Sequence, residues 1–158
     1  MEQPTELANR FREVILNGTW IANTNYQALL SNVSWQMAVT KIDSLNTIAA
    51  LSFHINYYIA GVLNVFEGGE LEIRDKYSFD LPELTCENDW NQLQKSIWNN
   101  AKSFAKNVER LSEEQLDSIF IHPKYGTYRR NIEGIIEHSY YHLGQISLIK
   151  KMLLENEV

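Results

Sequence analysis

The sequence predicts an all-helical protein built as a four-helix bundle, and three observations predict it. Glycine and proline are scarce, at seven and three among 158 residues. They sit between long segments whose apolar residues recur at steps of three and four, the period of an amphipathic helix. Four such segments are long, and four amphipathic helices are enough to enclose one core in a small domain. A hydrophobic fraction of 44% with 22% charged residues supports a packed interior and excludes a disordered chain. The whole chain, 1–158, reads as one domain.

The first helix is predicted over about Thr5 to Asn17, capped by Thr5, with Leu7, Phe11, Val14 and Ile15 on one face and Gly18 as its stop. Residues 18–45 carry two shorter apolar groupings, Tyr26, Leu29 and Leu30, then Trp35, Met37, Ala38 and Ile42, which suggest two short helical pieces. The second long helix runs from about Asn46 to Glu67. Its inward stripe is Leu51, His54, Tyr58, Gly61 and Val65, and Gly68-Gly69 end it. Residues 68–88 form a long connection whose alternating Glu70-Leu71-Glu72-Ile73-Arg74 can hold a short extended piece.

The third long helix is predicted from about Asp89 to Leu111, marked by Leu93, Ile97, Phe104 and Val108 with Trp90 and Trp98 nearby. Ser112-Glu113-Glu114-Gln115 has the pattern of a capping box, so a short helix follows. Residues 119–126, with Pro123 and Gly126, form a loop. The fourth long helix runs from about Thr127 to Leu154. The connection between the second and third helices, roughly 20 residues, reaches about 65 Å when extended. It can return along the whole bundle, so a parallel second and third helix is permitted, though periodicity does not require it.

Charge and cysteine use narrow the function. Twenty acidic against 14 basic residues leave a net charge of −6. That balance suits neither nucleic acid nor an anionic membrane, whose counterions Lys and Arg must replace. The single cysteine, Cys86, excludes an internal disulfide and a cysteine-rich metal site. No unbroken run of 18 apolar residues predicts a membrane span. The polar, acidic start of the chain lacks the pattern of a secretory signal, so a cytoplasmic protein is expected.

The chemistry concentrates in the fourth helix. His138 and His142 are four residues apart, which puts their side chains about 40° apart around the axis and one turn apart along it. Two imidazoles so placed can bind one divalent metal. In the helical zinc-protease motif a Glu follows the first His; here Ser139 stands in its place, which disfavours that reading. Asn131 and Gln145 extend the polar row in both directions, as substrate-binding candidates or as caps for buried carbonyls. His54, on the inward stripe of the second helix, is the natural third ligand, with Tyr58 one turn away and able to reach a bound molecule. Three histidines leave a coordination position open for water or a thiol. His122, before Pro123, is expected on the surface. No Glu-x-x-His spacing occurs, which disfavours a di-iron bundle.

These residues carry a family resemblance. The segment Tyr125-Gly126-Thr127, then Asn131-Ile132, Gly134-Ile135-Ile136-Glu137-His138 and Tyr141-His142-Leu143-Gly144-Gln145-Ile146, resembles the C-terminal signature of the DinB-like (YfiT-like) family of helical-bundle metalloenzymes. The segment Thr47 to His54 resembles its second-helix motif, and Asn88-Asp89-Trp90 the start of its third helix. The resemblance implies an up-down-down-up bundle with a long crossover between helices 2 and 3. It implies a divalent metal, nickel or zinc, on His54, His138 and His142, and often a homodimer. For some members it also implies thiol-dependent S-transfer or isomerisation with a low-molecular-weight thiol; a metal-activated thiol or water here would serve transfer to, or hydrolysis of, a small electrophilic molecule. Two further readings compete with it: a non-catalytic metal-binding or stress-response interaction protein, and a plain bundle with buried neutral histidines.

Overall fold

The computed structural model of the chain describes residues 3–155 and is all-helical, with no strand among the described residues. Helix α1 (Pro4–Arg12) continues through a wider π turn, Glu13–Asn17, and ends at Gly18. The cap is not Thr5. Proline lacks an N–H and holds a helical φ, so Pro4 can already occupy the first helical position. The backbone N–H of Gln3 donates to Glu6 Oε2 at 2.9 Å and closes that end. The two short pieces expected in residues 18–45 are α2 (Tyr26–Leu30) and α3 (Trp35–Val39), capped by Asn25 and Ser34.

The remaining elements follow the apolar periodicity. They are α4 (Ile48–Phe66), α5 (Glu87–Arg110), α6 (Glu113–Asp117) and α7 (Tyr128–Glu155). Thr47 caps α4 by accepting from the Ala50 N–H at 3.1 Å. The capping box at α6 forms as read: Ser112 Oγ accepts from the Gln115 N–H, and Gln115 Oε1 accepts from the Ser112 N–H.

The long helices pack in a ring, α1 on α5, α5 on α4, α4 on α7 and α7 on α1. Side-chain pairs give the relative directions. Asn56 meets Ser96 and Asn100, and ten residues on Phe66 meets Phe104, so α4 and α5 run the same way. His54 faces His142 while Phe66 stacks on Tyr128, so α4 and α7 run in opposite directions. Trp90, Tyr26, Phe11 and Phe104 are the bulkiest fully buried side chains, and the Phe11 and Phe104 rings lie 4.5 Å apart.

Parallel neighbours need a return path, and residues 67–86 supply it. The alternation seen in the sequence exists there but finds no strand partner. Leu71 and Ile73 turn toward the protein, Glu70 and Glu72 toward solvent, and the only regular piece is one 3-10 turn at Asp75–Tyr77. The crossover lies close on α4 because Gly61 has no side chain: a Cβ there would sit 2.3 Å from Ile73 Cγ2. Tyr57 clamps the backbone of Arg74, its hydroxyl donating to the Arg74 carbonyl and accepting from the Arg74 N–H.

By length and composition α4 does suit a membrane span, contrary to the reading from unbroken apolar runs. More than half of it is buried against the rest of the protein. His54, Asn56 and Asn64 interrupt its apolar run, yet its mean hydropathy over 18 residues is still 1.3.

Phe104 joins α1, α4 and α5 through its contacts with Phe11 and Phe66. Phe104→Ala is expected to cost about 3–5 kcal/mol, read as a lower urea midpoint with helical circular dichroism retained at zero denaturant.

Candidate metal centre

Each site histidine is placed by its own element. His54 comes from the middle of α4, where burial of the stripe carries it inward, and it is 6% exposed. His142 comes from α7 and is 7% exposed; His138, one turn earlier, is half-buried. The antiparallel packing of α4 on α7 brings the three rings together. His138 Nε2 lies 3.1 Å from His54 Nε2 and 2.9 Å from His142 Nε2. One nitrogen from each ring falls within 4.8 Å of the other two, and the group can hold a metal ion. Nitrogens about 2.0–2.1 Å from a shared ion, at ligand angles between octahedral and tetrahedral, would be about 2.9–3.4 Å apart. The two measured separations fall in that range.

The protonation states follow from the partners of the other ring nitrogens. His54 Nδ1 lies 3.2 Å from the Ser78 carbonyl, and His142 Nδ1 lies 2.6 Å from Gln145 Oε1. Both acceptors require a proton on Nδ1, which leaves the Nε2 lone pairs of His54 and His142 pointing at His138. His138 Nε2 has at most one proton to offer to two lone pairs. A cation among the three satisfies all of them at once; one proton satisfies them only in part.

The electrostatics favour neutral rings. Burial, and then the other two imidazoles, pushes the His138 pKa down to about 4. Burial and His142 lower His54 below its ordinary value, against the opposing pull of the Ser78 carbonyl and Asp75. Burial lowers His142 as well, against the hydrogen bond its Nδ1–H donates to Gln145 Oε1. Near neutral pH all three therefore present lone pairs, the form in which imidazole binds metals.

Of the other candidates, Tyr58 is at the centre. Its ring centroid lies 5.1 Å from that of His54 and 5.3 Å from that of His138, both edge-on, and its hydroxyl donates to Asp75 Oδ1 at 2.9 Å. Asn131 lines the cavity next to His138, but its amide is spent on the carbonyls of Tyr125 and Thr127, so it tethers the loop before α7. Gln145 is absent from that cavity and orients His142. His122 is exposed, as expected.

Sequence reasoning missed Ser78, Phe79 and Asp75. Ser78 orients His54, Phe79 stacks on the His54 ring with centroids 4.0 Å apart, and Asp75 holds Tyr58. All three lie on the crossover, which carries no helical period. The only available signal was the length of that connection, enough to return along the whole bundle.

The lowered histidine pKa values set a pH dependence for the metal-free protein. An unfolded His takes up its proton near pH 6.5, whereas His138 in the fold does so near pH 4. Between those values the unfolded chain binds more protons, so stability is full above about pH 6.5 and falls as the pH drops toward 4. Allowing for partial solvent exposure, about 1 kcal/mol is expected to be lost from this group between pH 7 and 5. Urea titrations of chelator-treated protein at the two pH values, beside His138→Gln, check it: the variant should lose less on acidification.

No protein-family model matches the chain, and no curated protein or solved structure matches it either. The geometry thus stands alone: an all-helical fold carrying three clustered histidines that can hold a metal ion.

Proposed function

We propose that this chain is a DinB-like metalloenzyme in which His54, His138 and His142 hold a divalent cation, nickel or zinc. It would transfer a low-molecular-weight thiol to a small electrophilic molecule, or hydrolyse such a molecule. The observation that carries the reading is the convergence of three neutral imidazoles on one point, two of them oriented through their Nδ1 atoms by Ser78 and Gln145. Such oriented histidines are how proteins build a metal site. When bound, the cation supplies Lewis acidity that lowers the pKa of a thiol or water toward neutrality.

The chain's own residues have separable tasks. Asp75 accepts the Tyr58 hydroxyl and so leaves the phenol oxygen able to accept from a ligand N–H, O–H or S–H. Phe79 covers one face of His54 and keeps water from it. The ring packing of the long helices, with α4 and α5 parallel and α7 antiparallel to α4, supports an up-down-down-up four-helix bundle. Tyr141 and Leu148, exposed and seven residues apart on α7, support a homodimer face. The composition supports work in the cytoplasm.

Metal content of tag-free protein by plasma mass spectrometry tests the reading, with His142→Ala alongside. Near-stoichiometric nickel or zinc that falls at least tenfold in the variant is expected; no metal in either sample after reloading would overturn it. Gln145→Ala should keep the stoichiometry but weaken metal affinity by about 10–100-fold in a chelator competition. For the loaded enzyme, turnover of a thiol and an electrophile should disappear with chelation and return with metal. Turnover that persists without metal removes the metal from the chemistry.

A further inference from the structure

A cavity of about 670 Å³ opens beside His138, between α4, α7 and the crossover. Small-molecule sites span about 300–1,000 Å³. Its walls are of two kinds. Val62, Leu71, Ile73, Phe120 and Ile135 supply apolar surface. Arg74 from the crossover, Lys124 from the turn before α7 and Arg130 from the start of α7 supply three cations. The one carboxylate on the lining, Asp75, already accepts the Tyr58 hydroxyl. A chain of net charge −6 therefore turns an excess of positive charge toward this cavity.

The cations are not consumed by stronger partners. Arg130 meets Glu137 at 3.3 Å through Nη1, but both side chains are more than 60% exposed, and water screens such a pair. The Lys124 ammonium rests over the Tyr125 ring at 4.6 Å. Arg74 is pinned through its backbone by Tyr57, which leaves its side chain unaffected.

We propose that this cavity binds a small amphipathic acid. The apolar body lies on Val62, Leu71 and Ile135, the anionic head is held by Lys124 and Arg130, and the molecule's other groups reach the Tyr58 and His138 side of the cavity. The proposal rests on the metal-centre reading for which end reacts. The binding itself depends only on the cavity, so the two fail separately.

The test is isothermal titration of the full chain with hexanoate, 1-hexanol and hexylammonium, with metal content measured on the same samples. Hexanoate is expected to bind at least about tenfold more tightly than hexanol, and hexylammonium more weakly than both. The double variant Lys124→Gln, Arg130→Gln should bring hexanoate to the affinity of hexanol while metal content stays unchanged. Equal binding of hexanoate and hexanol to the unmodified chain overturns the proposal. So does a preference that survives in the double variant, which would put the carboxylate on the histidine centre instead. A hexanoate preference that the variant abolishes, in protein that takes up no metal, supports the cavity and overturns the metal reading. Metal uptake without the preference does the reverse.

Discussion

Three imidazole nitrogens meet within hydrogen-bond distance on the inner face of α4 and α7, and one proton is available for two lone pairs. Buried polar groups are costly unless paired. The protein resolves two of the three rings by giving each Nδ1 an acceptor, the Ser78 carbonyl for His54 and Gln145 for His142. Those two bonds tie the site to the crossover and to the next turn of α7. His138 has no such acceptor, so burial first and then the other two rings push its pKa down to about 4 unopposed.

The crossover links the topology to the chemistry. Parallel α4 and α5 require a long return path, and that path has to cross the open face of α4. Gly61 lets it lie close, and Tyr57 fixes its backbone at Arg74. The residues that follow then fall over the histidines: Asp75 onto Tyr58, Ser78 onto His54 Nδ1, Phe79 onto the His54 ring. A segment needed to connect two helices thus becomes one wall of the site.

One buried amide, Asn56, holds α4 and α5 in register on the side of α4 away from the histidines. Asn56 is 8% exposed, accepts from Asn100 and donates to Ser96. Shifting either helix by one residue would break both bonds and strand the amide in the core, which costs more than the bonds contribute. Aromatic packing of Phe104 against Phe11 and Phe66 adds to the same register from the apolar side.

The sequence by itself determined the long helices, their inward faces and the histidines that share them. Leu7, Phe11, Val14 and Ile15 are all fully buried, as their spacing requires, because a helical period and a solvent boundary leave one face for apolar groups. His138 and His142 were legible as a pair for the same reason: a four-residue step fixes their separation before any tertiary contact forms. Local signals also placed the Ser112 capping box. They misplaced the start of α1, where Pro4 was the stronger signal than Thr5. Only the tertiary structure decided that Gln145 turns to His142, that Asn131 ties down a loop, and that Ser78, Phe79 and Asp75 close over the site. The difference is physical. Contacts within a helix are set by its repeat, whereas contacts from a crossover depend on which helices lie parallel and how far the chain has to travel between them.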